Sequence, residues 1–231
     1  MRTAICLSGQ PRNKVERFIT TIYEKLIKPN NCDVFVCSNT FSGGKKDPWL
    51  GLVTTMNDLG ISPKVLELRE DIFIDQETHP VFAHFRNGRV MSENKGKVAC
   101  TRIQRCLQCL YYIEQCNRNK TQWEESNNFV YDWVIKCRIG LEFLEKLDLA
   151  KFDNNLVHLK EKPGASFYVD CFAYGSSKNM NIYSNRLSAL LKEEEVPSWV
   201  LSTENQMKYL LEKNDVVVSS DNIPKFKNVE H

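Results

Sequence analysis

The chain has 231 residues, a formal net charge of +2 and nine cysteines; that length suits one large domain with a core that needs no staples. Nearly balanced charge, with only short basic groups, argues against a duplex nucleic-acid binder, which carries a clustered basic excess. No stretch reaches the roughly 18 apolar residues that span a bilayer. Met1–Leu7 is too short an apolar opening for a secretory leader, so the expected setting is cytoplasmic, with the cysteines as reduced thiols. Cys106 and Cys109 form a C-x-x-C without a second pair at ligand spacing, which disfavours zinc.

Thr3–Leu7 is an apolar run stopped by Ser8-Gly9-Gln10-Pro11, the mark of a buried strand ending in a turn. Val15, Phe18, Ile19, Ile22 and Leu26 then recur at helical spacing, and Asp33–Cys37 is a second strand. Strand, helix, strand at this spacing is a βαβ unit, whose strands lie parallel. The pattern continues with a helix over 50–59, a strand over 65–68, and an aperiodic stretch over 70–97 of the kind that is often functional or mobile. A strong helical period covers 98–116, and 117–128 reads as a polar connector. Strands are expected at 133–138, 156–159, 167–174 and 216–218, a short helix or turn at 141–149, and helices at 180–191 and 202–212. Ser202 or Thr203 is positioned to cap the last of these. The fold class is therefore α/β, with a Rossmann-like, mostly parallel sheet flanked by helices.

Ligands of open α/β sheets gather beyond the carboxyl ends of the strands, which directs attention to Ser8-Gly9-Gln10-Pro11-Arg12. Gly9 lets backbone approach a ligand, the next helix offers free N–H groups, and Arg12 can fork onto phosphate oxygens. The spacing is neither that of a P-loop nor G-x-G-x-x-G; the competing reading is a tight turn with a solvated arginine. Asn39 and Thr40 follow the second strand, where a nucleoside contact or plain turn chemistry fits equally. Lys136 and Arg138 alternate onto one face of a strand, either to hold a diphosphate or to pair with acids such as Asp132 and Glu142. Asp170 lies in an otherwise apolar strand and needs a partner or a function; it is the first candidate base, unless it ends the strand and caps a turn. Glu204, in the first turn of a helix, is the second candidate, or an acid favoured there by the macrodipole. His79 and His84, five apart, read as surface or loop residues, and Lys95 and Lys97 as a solvated pre-helix run rather than a phosphate clamp.

Four segments occur in order: Ile5-Cys6-Leu7-Ser8-Gly9-Gln10-Pro11-Arg12, Asp33-Val34-Phe35-Val36, Tyr131-Asp132-Trp133-Val134-Ile135-Lys136-Cys137-Arg138 and Asp170-Cys171-Phe172-Ala173-Tyr174-Gly175-Ser176. Together they resemble the GT-A-like glycosyltransferases of bacterial surface-polysaccharide clusters and large algal viruses, with hallmarks C-L-S-G-Q-x-R, D-V-F, Y-D-x-V-x-x-x-R and D-x-F-A-x-G-S. The resemblance runs from residue 3 to about 218. It implies a single GT-A-like domain over 1–231, with a nucleotide-binding half at about 1–140 and an acceptor-side half at about 141–231. It implies transfer of a sugar from a nucleotide-diphosphate-sugar, UDP-linked first, to a glycan acceptor, in the cytoplasm or, for a viral protein, the host cytoplasm. That family usually continues R-x-D after the Tyr-Asp strand, the aspartate resembling the metal-binding acid of GT-A enzymes; here the segment is Arg138-Ile139-Gly140-Leu141-Glu142, so Glu142 is the nearest candidate for Mn²⁺ or Mg²⁺. On this reading Ser8, Gly9, Gln10, Arg12, Asn39, Thr40, Lys136 and Arg138 hold the donor, and Asp170 and Glu204 serve the reacting hydroxyl. Two alternatives stay open: a sulfotransferase using an activated sulfate donor, and a nucleotide-sugar-binding protein without catalysis.

Overall fold

Side-chain alternation along the central strands decides which helices cover which face of the sheet. The computed structural model describes residues 1–11, 14–39, 48–69, 93–161, 168–192 and 203–228. All six residues of β1 (Thr3–Ser8) are buried. Ile5 and Leu7 join one apolar cluster, Ala4 and Cys6 the other, as the period of two requires. In chain order the further elements are α1 (Val15–Ile22), β2 (Cys32–Asn39), α2 (Pro48–Asp58), β3 (Val65–Arg69), α3 (Glu93–Ser126), β4 (Trp133–Arg138), β5 (Leu141–Phe143), β6 (Val157–Glu161), β7 (Tyr168–Gly175), α4 (Ser177–Ser184), α5 (Arg186–Lys192), α6 (Thr203–Lys213), β8 (Val218–Ser219) and β9 (Phe226–Asn228). The first helix runs on through a π-helical turn, Tyr23–Ile27, and a last turn, Lys28–Asn30, and ends on Asn31 in the left-handed region at φ 47°, a position asparagine tolerates.

Seven strands form the main sheet in the order β3-β2-β1-β4-β7-β6-β8. β3, β2, β1 and β4 are parallel neighbours, as are β6 and β8, while β7 pairs antiparallel with both β4 and β6. The β1–α1–β2 unit is the expected parallel one. On one face α1 and α2 pack Val15, Ile19, Leu52 and Met56 against Ile5, Leu7, Val36 and Ile135. On the other, α3, α4 and α6 bring Tyr112, Met180, Tyr183 and Met207 against Ala4, Phe35, Val134 and Ala173. Both sequence halves contribute strands to the one sheet. Among the described residues no helix is long and apolar enough to cross a membrane.

Three elements differ from the sequence expectation. The polar stretch after 116 is helical through Ser126 because its polar side chains find buried partners. Lys120, fully buried, donates to Glu124 at 2.9 Å, Ser177 at 2.6 Å and Asn181 at 2.9 Å, which uses all three of its N–H bonds. Residues 141–143 form a strand rather than a helical turn, because β5 finds an antiparallel partner in β9, Leu141 facing Asn228. The helix expected over 180–191 is two helices, α4 and α5, broken at Asn185.

Candidate functional site

The strand order turns between β1 and β4: the chain winds outward from β1 to β2 and β3, then returns to β4 on the other side of β1. Such a switch point opens a crevice beyond the carboxyl ends of the two strands. Here the backbone is stitched tightly around it. Ser8 O accepts from Ile139 N at 3.1 Å, Gly9 N donates to Cys37 O at 3.2 Å, and Ser38 Oγ donates to Gly9 O at 2.9 Å. Gly9 holds φ +101°, a conformation that glycine adopts without steric cost.

A cavity of about 250 Å³ lies at this crevice. Its strand side consists of Ser8 and Gly9 from the end of β1, Lys136 and Arg138 from β4, and Asp170 and Cys171 from β7. Cys106, Cys109 and Ile113 of α3 and Glu204 of α6 close the helix side. Lys136 and Arg138 share the sheet face of Val134, as their alternation requires. Because β7 runs antiparallel, with Lys136 opposite Ala173 and Cys137 opposite Phe172, Asp170 arrives at the same end of the sheet.

Lys136 is 3% exposed. Its ammonium donates to the backbone oxygen of Asp170, which also accepts from the Tyr183 hydroxyl at 2.8 Å. Burial holds the Lys136 ammonium below its ordinary range, Asp170 pulling it back up and Arg186 pushing it further down. The Asp170 carboxylate faces the fully buried Arg186, whose Nη1 lies 3.8 Å from Oδ2. Burial pushes the Cys106 thiol up to about 11, with Cys109, Asp170 and Glu204 adding to the effect. The Cys171 thiol is likewise raised to about 11 by burial, with Lys136 opposing. Both are therefore thiols at neutral pH rather than nucleophilic thiolates.

Six of the candidate residues named from sequence thus meet at one cavity: Ser8, Gly9, Lys136, Arg138, Asp170 and Glu204. Gln10 is exposed beside it and does not line it, and Asn39 ends β2 at the same edge of the sheet. Arg12, Thr40, His79 and His84 lie outside the described residues, as do the side chains of Lys95 and Lys97 in the first turns of α3. Asp132 is taken up by the amino terminus and Arg2 N. Glu142 stands apart from the cavity; its Oε1 lies 2.6 Å from Arg17 Nη2 and its side chain is almost buried. Among the described residues no three His, Cys, Asp or Glu side chains come together to hold a metal ion.

Arg186 is the participant that sequence reading missed. It opens a short helix in Arg-Leu-Ser-Ala-Leu-Leu, where an arginine ordinarily faces water. The C-x-x-C of α3, disfavoured from sequence as a zinc site, forms part of the cavity wall. A wider groove of about 620 Å³ between α3 and α5 is open to solvent and away from the strand ends. Glu114 there is already engaged by Ser188 N at 2.8 Å and by its hydroxyl, so the smaller cavity at the switch point is the better candidate.

A search of curated proteins finds no match to the chain. Residues 1–227 match the family model described as a domain of unknown function, DUF7796, and the chain belongs to that family.

Proposed function

We propose that the cavity between β1 and β4 is the donor site of a nucleotide-sugar-dependent glycosyltransferase with a GT-A-like arrangement, UDP-linked donors being the first choice. The observation that carries this reading is the convergence at a topological switch point of two cations, Lys136 and Arg138, with two carboxylates, Asp170 and Glu204. In sugar transfer the bond from C1 to the diphosphate oxygen breaks as the acceptor oxygen bonds to C1, and negative charge grows on the departing diphosphate. Fixed cations at that position lower the barrier because they act more strongly on the transition state than on the ground state. Arg138 makes no ion pair among the described residues, and Lys136 contacts Asp170 through its backbone oxygen, so both charges are available to such a leaving group. A carboxylate within reach of the acceptor hydroxyl takes up its proton; among the described residues Asp170 and Glu204 are the two that line the cavity. Glu142, committed to Arg17 and not lining this cavity, does not fit a metal ligand of it.

The cavity is below the usual range for a whole small-molecule site. It suits the diphosphate and sugar, with the nucleoside extending along the strand ends toward Asn39. Thermal shift with UDP, GDP and adenosine 3′,5′-bisphosphate, each with and without Mn²⁺, tests the assignment. Stabilisation by a nucleoside diphosphate, lost in Lys136→Met and Arg138→Gln, is the expected result. Stabilisation by the bisphosphate alone would overturn it in favour of an activated-sulfate donor. Binding of a sugar nucleotide without hydrolysis or transfer to any acceptor would leave a binding protein.

A further inference from the structure

Asp170 is held at the cavity through both its backbone and its carboxylate. Its backbone oxygen accepts from both the Lys136 ammonium and the Tyr183 hydroxyl. Its carboxylate, 24% exposed, has Arg186 Nη1 at 3.8 Å on its buried side. Arg186 is fully buried, and its guanidinium lies 4.5 Å from the centre of the Tyr183 ring, a geometry that favours the cation. Tyr183 therefore braces both the backbone of Asp170 and the cation behind its carboxylate.

This arrangement conflicts with a role as a proton acceptor. A general base loses its charge when it works. Protonating Asp170 would remove a counter-ion from a guanidinium that has no access to water, which is strongly unfavourable. A hydrogen-bond acceptor has no such difficulty, because it keeps its charge while binding a hydroxyl and gains direction from being held still. We infer that Arg186 is a positioning residue that holds Asp170 as a charged acceptor for a hydroxyl of the bound sugar. The assignment of a sugar hydroxyl rests on the transferase reading above; the hold of Arg186 on Asp170 does not.

The two are tested separately. The first measurement needs no ligand: titrate the aspartate carboxyl carbons by NMR in the wild type, Arg186→Met and Arg186→Lys, with Asp170→Asn identifying the signal and circular dichroism checking the fold. The Asp170 midpoint is expected to rise by at least one pH unit in Arg186→Met and to return most of the way in Arg186→Lys. An unchanged midpoint in a folded Arg186→Met protein overturns the positioning role, and Arg186→Lys decides the same point if the methionine variant fails to fold. The second measurement is calorimetric affinity for UDP, UDP-glucose and UDP-galactose. Asp170→Asn and Arg186→Met should each lose about tenfold of the preference for sugar nucleotide over UDP, with UDP affinity unchanged and no further loss in the double variant. Equal loss for UDP and sugar nucleotide in both variants would overturn the hydroxyl contact. No binding of any of these by the wild type would sink the transferase reading while the titration still decides Arg186. Where turnover of a bound donor is measurable, Asp170→Asn should preserve the acidic limb of its pH profile, the limb set by a general base; loss of that limb would overturn the role of Asp170 as an acceptor.

Discussion

Lys136→Met separates what the Lys136 ammonium costs the fold from what it offers a ligand. The ammonium is buried and held below its ordinary range chiefly by burial, so folding disfavours its charged form. The sign follows directly: a lysine depressed in the folded state weakens the fold fully below its folded pKa, and that penalty fades as pH rises toward the unfolded value of about 10.4. Methionine has similar length and no charge to desolvate. The Asp170 backbone oxygen keeps its bond from Tyr183 at 2.8 Å, so no buried acceptor is orphaned. The Asp170 carboxylate keeps Arg186 beside it, so replacing the buried Lys136 charge by an apolar isostere should be neutral to stabilising, by about 1–2 kcal/mol. For a chain of this size that corresponds to a rise in melting temperature of about 2–8 °C at pH 7. The advantage of the variant should shrink between pH 7 and pH 10.

The same substitution removes a charge-assisted hydrogen bond to a diphosphate, about 1.5–3 kcal/mol, so affinity for UDP should fall about tenfold to a hundredfold. Urea unfolding at the two pH values, with calorimetry for UDP and inorganic pyrophosphate, reads both effects. A variant destabilised by more than about 2 kcal/mol that keeps full UDP affinity would refute the reasoning and make Lys136 a structural cation.

Three further predictions concern the frame around the site. Lys120→Met leaves the Glu124 carboxylate, 6% exposed, without its cation and should cost about 3–5 kcal/mol in urea unfolding. Burial depresses the His158 imidazole below its ordinary range, between the Phe152 edge at 5.0 Å and the Tyr174 face at 4.8 Å. His158 therefore stabilises the fold as a neutral ring above about pH 6.5 and loses that contribution as pH falls through its depressed folded value. His158→Phe should flatten the drop in urea midpoint between pH 7.5 and pH 5, and an identical drop would exclude His158 as its source. A Cβ on Gly175 would sit 2.7 Å from the Leu156 carbonyl oxygen, so Gly175→Ala should cost about 1–3 kcal/mol through forced strand displacement, read as a lower melting temperature; an unchanged one shows that the β6–β7 edge yields freely.

The strands of the sheet's centre were legible because β1, β2 and β4 are apolar runs that stop at polar turns. The candidate site was legible for a related reason: Lys136, Arg138 and Asp170 are charges inside such runs, and a charge there needs an explanation. Arg186 carried no such signal, because its burial is created by tertiary packing against Tyr183 and Asp170. The length of α3 was hidden in the same way, because Lys120 and Glu124, polar in sequence, are buried and bonded to Asn181 of α4 and to Tyr131 N. The β5–β9 pair joins residues more than 80 positions apart, a separation at which local pattern says nothing about partners.

Strand direction explains why the acid and the cations meet at all. Lys136 and Arg138 approach the crevice because β4 ends there, and in a wholly parallel sheet only residues near strand ends would do so. Asp170 is the third residue of β7, near its beginning. With Lys136 opposite Ala173, Asp170 lies three residues beyond the pairing point, a displacement of about 10 Å at the usual rise per residue. Because β7 is reversed, that displacement points toward the crevice. A parallel β7 in the same register would point it the other way and carry the carboxylate about 20 Å from its present place. The antiparallel strand therefore does more than extend the sheet: it delivers the carboxylate of β7 to the cations at the end of β4. The buried guanidinium that holds this carboxylate comes from the same C-terminal stretch, at the start of α5, directly after α4 has supplied Tyr183.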